Sequence, residues 1–414
     1  MTLLFKATAL SMLALTLACS STSGNFVAKD FERAEEQYTL LLNNSKDITI
    51  FPRTLDSAGN VKGTDVWDWT GGFFAGSLWN IYEYSKDPKW EAAAIKWTEA
   101  LEEGKFLTQH HDIGFVMYCS YGNAIKNLKD TAKINAYNKI LIQSGESALT
   151  RYNPKVGLIK SWNSKMSWDK KTLWNYPVII DNMMNLEMLF YVSKLTGDDK
   201  YKKVAISHAD QTMKYHFRPD YSTYHVVDYD TTSGKVLHQQ TNQGFADNST
   251  WSRGQAWAVY GYTVMYRETK DPKYLATAEH AADFFLNHAN LPEDKIPYWD
   301  FNVNQEGYKP DWAYDSKRFD VIHRDASAAA VIASALLELS GYAEEKGRTY
   351  LNAAEQILKS LSSDEYLAQK GTNGGFLLLH SVGSMPHNSE IDVPLTYADY
   401  YFLEALNRYR ELKK

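Results

Sequence analysis

Two aspartates carry the first chemical signal in this chain. Asp181 follows the apolar run Pro177-Val178-Ile179-Ile180, so its surroundings are expected to exclude water. Desolvation raises a carboxyl pKa, and a second carboxylate nearby raises it further. Asp112, in His110-His111-Asp112, is the candidate neighbour. A carboxyl pair with one protonated and one ionised member supplies a general acid near neutral pH. Asp325 and Asp399 are read instead as helix caps, since Asp at a helix start is a common cap. Adjacent histidines face different ways, and no partner at i, i+4 completes a zinc site. No Gly-rich phosphate loop and no Gly-x-Ser-x-Gly elbow occurs. No metal and no cofactor is therefore expected. Cys119 follows Val116-Met117-Tyr118 and reads as a buried structural thiol.

The elements that must position these residues repeat. An apolar, small-residue-rich helix is followed by a polar turn and then by an amphipathic helix. The turns resemble one another: Ser85-Lys86-Asp87-Pro88-Lys89-Trp90, Thr196-Gly197-Asp198-Asp199-Lys200-Tyr201 and Thr269-Lys270-Asp271-Pro272-Lys273-Tyr274. Asp followed by Pro or Asp is helix-start chemistry. Six helices with one apolar stripe are expected at 26–43, 90–103, 131–150, 201–215, 274–287 and 350–361. Six with few charges are expected at 72–84, 114–127, 182–195, 254–268, 326–341 and 398–412. A helix that is apolar nearly all round must be buried. Six inner and six outer helices in alternation predict an all-α (α/α)6 barrel. A solenoid also alternates helices, but gives its inner row no reason to be so free of charge. The best strand candidate is 375–381, in a long loop.

Each inner helix opens with unusual residues, including Trp67-Asp68-Trp69, His110-His111-Asp112, Asp181, Trp251-Ser252-Arg253, His323-Arg324-Asp325 and Tyr397. In a barrel these starts meet at one mouth. Six helix N-termini then favour an anionic ligand.

The first residues read as an export signal: Lys6, an apolar stretch from Ala7 to Leu17, then Leu17-Ala18-Cys19 and a polar Ser20-Ser21-Thr22-Ser23-Gly24. The expected organisation is a lipoprotein signal at 1–18, a tether acylated at Cys19 over 19–27, and one catalytic domain over 28–414. The expected location is the bacterial cell envelope, as a periplasmic or outer-membrane lipoprotein; ordinary cleavage with release is the alternative. A net charge of -6 and no basic run argue against a nucleic-acid partner. The 28 Tyr and 12 Trp suit a surface that stacks on sugar rings, and equally a core of large residues. A monomer is expected.

The chain resembles glycoside hydrolase family 88, the unsaturated glucuronyl hydrolases. The resemblance runs over nearly all of it after the export signal. It is carried by Trp69-Thr70-Gly71-Gly72-Phe73, His111-Asp112-Ile113-Gly114-Phe115, Ile180-Asp181-Asn182-Met183-Met184, Ser249-Thr250-Trp251-Ser252-Arg253-Gly254-Gln255-Ala256-Trp257 and Tyr397-Ala398-Asp399-Tyr400-Tyr401. It implies the same barrel, and a hydration of the C4=C5 double bond that polysaccharide lyases leave at a non-reducing uronic acid. The hydrated ring opens and releases the neighbouring sugar. It implies Asp181 as proton donor to C4 and as the base for water. Asp112 is implied as the second carboxylate, and Trp69, His225, Gln243, Arg253 and Trp257 as substrate-binding residues. Read as residues alone, Arg253 suits either a substrate carboxylate or an internal ion pair, and Trp69 and Trp257 suit either stacking or core. Members that accept sulfated fragments are linked to an arginine before the glutamine and to Ser-x-x-Ser-x-Lys. Here Asn242 precedes Gln243, and Ser381-Val382-Gly383-Ser384-Met385 ends in Pro386. Rival readings are the related family 105, the unsaturated rhamnogalacturonyl hydrolases, and a glycan-binding surface lipoprotein with no catalysis.

Overall fold

In the computed structural model, which describes residues 25–315, 317 and 320–414, the helices alternate as the apolar pattern requires. The inner set is α2 (Gly71–Ser85), the broken helix α4 (Ile113–Met117) and α5 (Asn123–Asn127), α7 (Leu186–Thr196), α9 (Ser252–Thr269), α11 (Ala326–Ser340) and α13 (Thr396–Leu412). The outer set is α1 (Asn25–Asn44), α3 (Pro88–Glu99), α6 (Thr131–Leu149), α8 (Lys200–Tyr215), α10 (Pro272–Asn287) and α12 (Gly347–Leu361). Along the chain α9 packs on α11, α11 on α13, and α13 returns to α2. That last contact closes the ring and separates the fold from an open solenoid.

The local causes are visible. Asp87 and Asp271 accept from the N–H groups of Lys89 and Lys273, with Pro88 and Pro272 following them at the helix start. In α11 every residue except Glu338 and Ser340 is buried. Each buried Leu, Ile or Val there contributes about 1.5–3 kcal/mol. Glycine sets the closeness of the inner ring: a Cβ on Gly114 would stand 2.6 Å from Asn185 Cα. One π turn, Tyr118–Gly122, interrupts the second inner helix. It is a usual cause of a break in an otherwise continuous helix.

Two expectations change. Helix α1 starts at Asn25, and Val27 is buried, so residues 25–27 belong to the barrel rather than to a tether. The strand expected over 375–381 does not form there. Instead β10 (Ser381–Ser384) pairs with β11 (Ser389–Val393). Asp399 takes the N–H groups of Leu377 and Leu378, at 2.8 and 2.9 Å, so pairing in this stretch is confined to one antiparallel bridge between Leu378 and Leu367.

The other strands lie in the outer-to-inner connections. Hairpins are formed by β1 (Phe51–Leu55) and β2 (Val61–Thr64), β3 (Tyr152–Asn153) and β4 (Leu158–Ile159), and β5 (Lys165–Met166) and β6 (Leu173–Trp174). A three-stranded antiparallel sheet joins β7 (Pro177–Ile179), β8 (Val226–Tyr229) and β9 (Val236–Gln240). Ring contacts between residues at the inner-helix starts, Trp69–Tyr397 at 4.8 Å, Trp69–Phe115 at 5.6 Å and Phe115–Trp257 at 5.3 Å, gather them at one mouth.

Candidate active site

The sheet register brings the first two functional residues together. Ile179 pairs with Val226, and one step further the Ile180 N–H donates to the His225 carbonyl at 3.2 Å. Asp181 and His225, 44 positions apart in sequence, thereby stand side by side. A 3-10 turn, Ile180–Asn185, then leads into α7 and carries Asp181 in its first turn. Ser161 ties in the second carboxylate. Its N–H donates to Pro177 O at 2.9 Å, and its Oγ accepts from the Ile179 N–H at 2.9 Å. Its carbonyl accepts the His111 N–H at 3.0 Å. One serine thus holds the strand before Asp181 and the turn before Asp112.

Both carboxylates are buried, and their environments differ. Burial pushes Asp181 up to about 7, and the negative charge of Asp112 pushes in the same direction. Arg253 opposes this without cancelling it. Burial works to raise Asp112 too, but His111, His110 and Arg151 outweigh it and hold Asp112 below the ordinary range. His110 Nδ1 is 2.9 Å from Asp112 Oδ2, and His110 Nε2 meets the Trp67 carbonyl at 2.8 Å. Both ring nitrogens of His110 therefore have protein partners. His111 Nε2 is 3.2 Å from Asp112 Oδ1 without good alignment, and burial pushes that imidazole down to about 4. Asp181 therefore keeps its proton up to near neutral pH, where it begins to ionise, while Asp112 beside it is a carboxylate.

His225 is buried with a fixed tautomer. Its Nδ1 accepts from the backbone N–H groups of Asn242 and Gln243, each at 3.1 Å. Its proton must then sit on Nε2, which has no other hydrogen-bond partner and lies 3.7 Å from Asp181 Oδ2. Burial keeps this imidazole neutral by pulling its pKa well below the ordinary value. Trp251 packs on its ring at 4.6 Å.

The remaining candidates divide. Gln243 supplies its backbone N–H to His225, while its side chain donates to Gly383 O at 3.1 Å. Arg253 is committed internally. Its Nη1 donates to Asp325 Oδ2 at 2.8 Å and to Val382 O at 2.5 Å, and its Nη2 to Gly383 O at 2.7 Å. Of its two readings the internal ion pair is the one realised, and only Nε is buried without a partner. Trp257 is fully buried, so its ring is core; its indole N–H has no hydrogen-bond partner. Trp69 is partly exposed and packs at a tilt on Tyr397, which leaves ring surface for a ligand.

The two expected caps also divide. Asp325 does cap α11, accepting from the Ser327 N–H, and binds Arg253 as well. Asp399 is no cap: it lies inside the first turn of α13 and holds the loop at Leu377 and Leu378. Cys119 is only partly buried, in the π turn, rather than wholly in the core. Cys19 lies outside the described residues. A cavity of about 710 Å³ exists elsewhere, lined by inner-helix residues including Glu187, Arg267, Glu338, Glu404 and Arg408. Its charges answer one another, Arg267 with Glu187 and Glu338 and Arg408 with Glu338 and Glu404. Neither Asp112 nor Asp181 lines it.

Sequence reasoning missed Ser161, Trp162 and Lys165. Ser161 acts through its backbone and a single hydroxyl, and nothing in its neighbours signals that. Trp162 stands edge-on to His225 at 6.2 Å, and Lys165 reaches Asn242 Oδ1 at 2.7 Å.

Comparison with known proteins places the chain among glycoside hydrolases. The model of Glycosyl Hydrolase Family 88 matches residues 49–267. An unsaturated glucuronyl hydrolase of Formosa agariphila is 45% identical over 387 residues, which covers 93% of this chain and 91% of the relative. The crystal structure of an unsaturated glucuronyl hydrolase specific for heparin superposes with a TM-score of 0.86 at 46% identity, over 94% of this chain and 98% of that one. An Asp-to-Asn mutant of the Streptococcus agalactiae enzyme, complexed with dGlcA-GalNAc6S, gives a TM-score of 0.75 at 27% identity, over 97% and 99% of the two chains.

Proposed function

The chain belongs to glycoside hydrolase family 88, and on that premise we propose that Asp181 is the acid, and then the base, of an alkene hydration. The activity is that of an unsaturated glucuronyl hydrolase acting on lyase-generated oligosaccharides. The protonated Asp181 carboxyl gives its proton to C4, and the C4=C5 electron pair forms the new C–H bond. The resulting positive charge is shared between C5 and the ring oxygen. Water attacks C5, and the Asp181 carboxylate takes the water proton, which restores the acid. The product is a hemiketal at C5. Its ring opens, and the neighbouring sugar leaves. Asp112 stays ionised throughout, raises the Asp181 pKa and stabilises the cationic transition state. The His225 Nε2–H points at the same space and is a donor to the substrate carboxylate or ring substituents. The rule relating carboxylate separation to retention or inversion does not apply, because the attack is not at the anomeric carbon.

One observation carries this reading: a buried carboxyl pushed up to about 7 beside a carboxylate held below the ordinary range. A glycan-binding lipoprotein has no use for such a pair. The test is the loss of ultraviolet absorbance from lyase-generated disaccharides. Turnover of glucuronyl-type disaccharides is expected. Turnover confined to unsaturated rhamnogalacturonyl substrates would move the chain's preference toward that of family 105, and no turnover of either would overturn the reading.

The envelope location belongs to this proposal as well. The signal-like Lys6 to Ala18 stretch and the Cys19 that follows support an acylated, envelope-bound enzyme. Cys19→Ser should release the protein from membranes or block its processing. A Ser variant retained in the membrane fraction with an intact mature N-terminus would refute the anchor.

A further inference from the structure

The chain enters the barrel at the end opposite the catalytic mouth. Outer helix α1 starts at Asn25, and its Phe26 ring meets Tyr409, in the last turn of α13, at 5.5 Å. Further along α1, Phe31 stacks on Tyr84, in the last turn of α2, at 4.0 Å. The inner helices end here, whereas Trp69, Asp112 and Asp181 lie at their starts. Inner helix α9 has 18 residues and so spans about 27 Å, which sets the distance from this end to the mouth. Cys19 stands six residues before Asn25, and six residues reach about 20 Å at most. An acyl group on Cys19 therefore holds this end, and not the mouth, close to the lipid.

This end is also where the positive charge of the chain collects. The last four residues of each inner helix, the residues that follow it and the first four of each outer helix carry 17 Lys and Arg against 12 Asp and Glu, on a chain with 44 against 50. The surplus stands at the turns. Lys89, Lys202 and Lys273 pair with the aspartates of their own turns, Asp87, Asp199 and Asp271. The exposed Lys86, Lys129, Lys203 and Lys270 pair with no carboxylate among the described residues. Lys86 and Lys270 have tyrosine rings beside them instead, Tyr82 at 5.2 Å and Tyr342 at 4.9 Å. Both hold a left-handed backbone, φ 56° and 59°, at the place where the Thr196-Gly197-Asp198 turn uses Gly197. Glycine takes that conformation at no steric cost. Lysine accepts the strain and leaves an unanswered cation at the turn. Leu195 and Leu412 are exposed at the same end.

We propose that this face docks on an anionic lipid surface, so that the anchored enzyme stands with its mouth turned away from the membrane and open to soluble oligosaccharides. The proposal rests on the acylated Cys19 proposed above. The acyl group supplies proximity and the lysines supply orientation. Each lysine near an anionic surface gains about fivefold in binding, and the gain fades within a Debye length. The exposed leucines enter the headgroup layer while the lysine stems lie along it with their charged ends in water. A second copy of the chain is a poorer occupant, because it brings the same positive face against this one.

The experiment places the full mature protein in vesicles of phosphatidylcholine with phosphatidylglycerol, in vesicles of phosphatidylcholine alone, and in neutral detergent. A water-soluble amine reagent labels the lysines, and mass spectrometry reads each site. On the anionic vesicles Lys86, Lys129, Lys203 and Lys270 should label about fivefold or more slowly than in detergent, while Lys62 and Lys171, in the connections at the mouth, stay within about twofold. The protection should shrink on neutral vesicles and as ionic strength rises. A variant combining Lys86→Asn, Lys129→Gln, Lys203→Gln and Lys270→Asn should protect the neighbouring Lys89 and Lys273 equally on both kinds of vesicle. Its kcat/KM on a soluble unsaturated disaccharide should match wild type. Equal labelling of the two ends in wild type would overturn the proposal, as would protection of Lys62 and Lys171 instead. Protection already present in detergent would assign the face to a second copy and overturn it too. Should the variant not fold, the wild type still decides, since protection indifferent to lipid charge and salt refutes the proposal. Cys19 found without acyl chains by mass spectrometry would refute the anchor reading and the docking with it. An acylated Cys19 with an unprotected face would refute the docking alone.

Discussion

His225 Nε2 faces Asp181 Oδ2 across 3.7 Å, and each atom is buried without another hydrogen-bond partner. The gap is too long for a strong hydrogen bond. An N–H donor and a carboxyl oxygen thus share one space that neither fills. A substrate atom between them would satisfy both. Buried polar atoms are usually paired, so these two, facing each other at the inner-helix mouth, are the pair a substrate group can join.

The Asp181 carboxyl is the first thing to remove. Asp181→Asn keeps the shape and loses the transferable proton. Acid–base catalysis is worth ~10²–10⁴-fold, and one residue serves both steps here. The loss of kcat on an unsaturated disaccharide should reach the top of that range, with the far-ultraviolet circular dichroism unchanged. Near-normal turnover by the Asn variant would show that Asp181 is not the acid.

Titration gives a second check, with a definite sign. The acid form of Asp181 is required, so kcat/KM should fall as pH rises through about 7. Asp112 is held below its ordinary range, so it stays ionised on the acid side of that limb. Asp112→Asn removes the negative neighbour that raises Asp181, and the alkaline limb of its residual activity should move to lower pH. An unmoved limb would mean that the two carboxylates do not interact.

The same shift has a stability consequence. The folded pKa of Asp181 is raised above its ordinary 3.8, so the fold binds that proton more tightly than the unfolded chain does. Its contribution is fully present below pH 4 and is lost as pH rises through about 7. Above that pH, a buried ionised Asp181 costs up to a few kcal/mol. Asp181→Asn should therefore melt higher than wild type at pH 8, with the difference shrinking toward pH 5. A pH-independent difference would contradict the buried, protonated carboxyl.

His225 should not titrate. Its Nδ1 is held by two backbone N–H groups, and burial keeps the ring neutral. Nitrogen NMR of the histidines should find one ring with the proton on Nε2 and no change between pH 5 and 8. His225→Phe keeps the packing on Trp251 but leaves two N–H groups unpaired. It should lower both kcat and stability. A protonating His225 would make it a second acid and alter the assignment.

Asp325 tests the internal use of Arg253. The pair is almost wholly buried, at 1% and 0% side-chain exposure. Removing one partner of such a pair typically costs about 3–5 kcal/mol, because the other charge is left uncompensated. Asp325→Ala should show this loss in urea unfolding, together with the loss of the α11 cap. A loss below about 1 kcal/mol, the size of a cap alone, would mean that Arg253 carries no buried charge penalty here.

The barrel was legible in the chain because burial leaves a local record. Charge-free runs such as Ala326–Leu337 have to be inner helices, and Asp87-Pro88 and Asp271-Pro272 have to start outer ones. The upward shift of the Asp181 pKa was legible for the same reason, since Val178, Ile179 and Ile180 precede it and all are buried. What could not be read is which partner each polar group takes. Asp325 and Asp399 looked alike as caps, yet one also binds Arg253 and the other holds the loop at Leu377. The tautomer of His225 follows from the backbone of Asn242 and Gln243, and the meeting of Asp181 with His225 follows from the β7–β8 register. Apolar burial is a property of residue type and spacing, which the chain carries along its length. A hydrogen-bond partner is defined by distance and direction in space, and only the folded backbone supplies those.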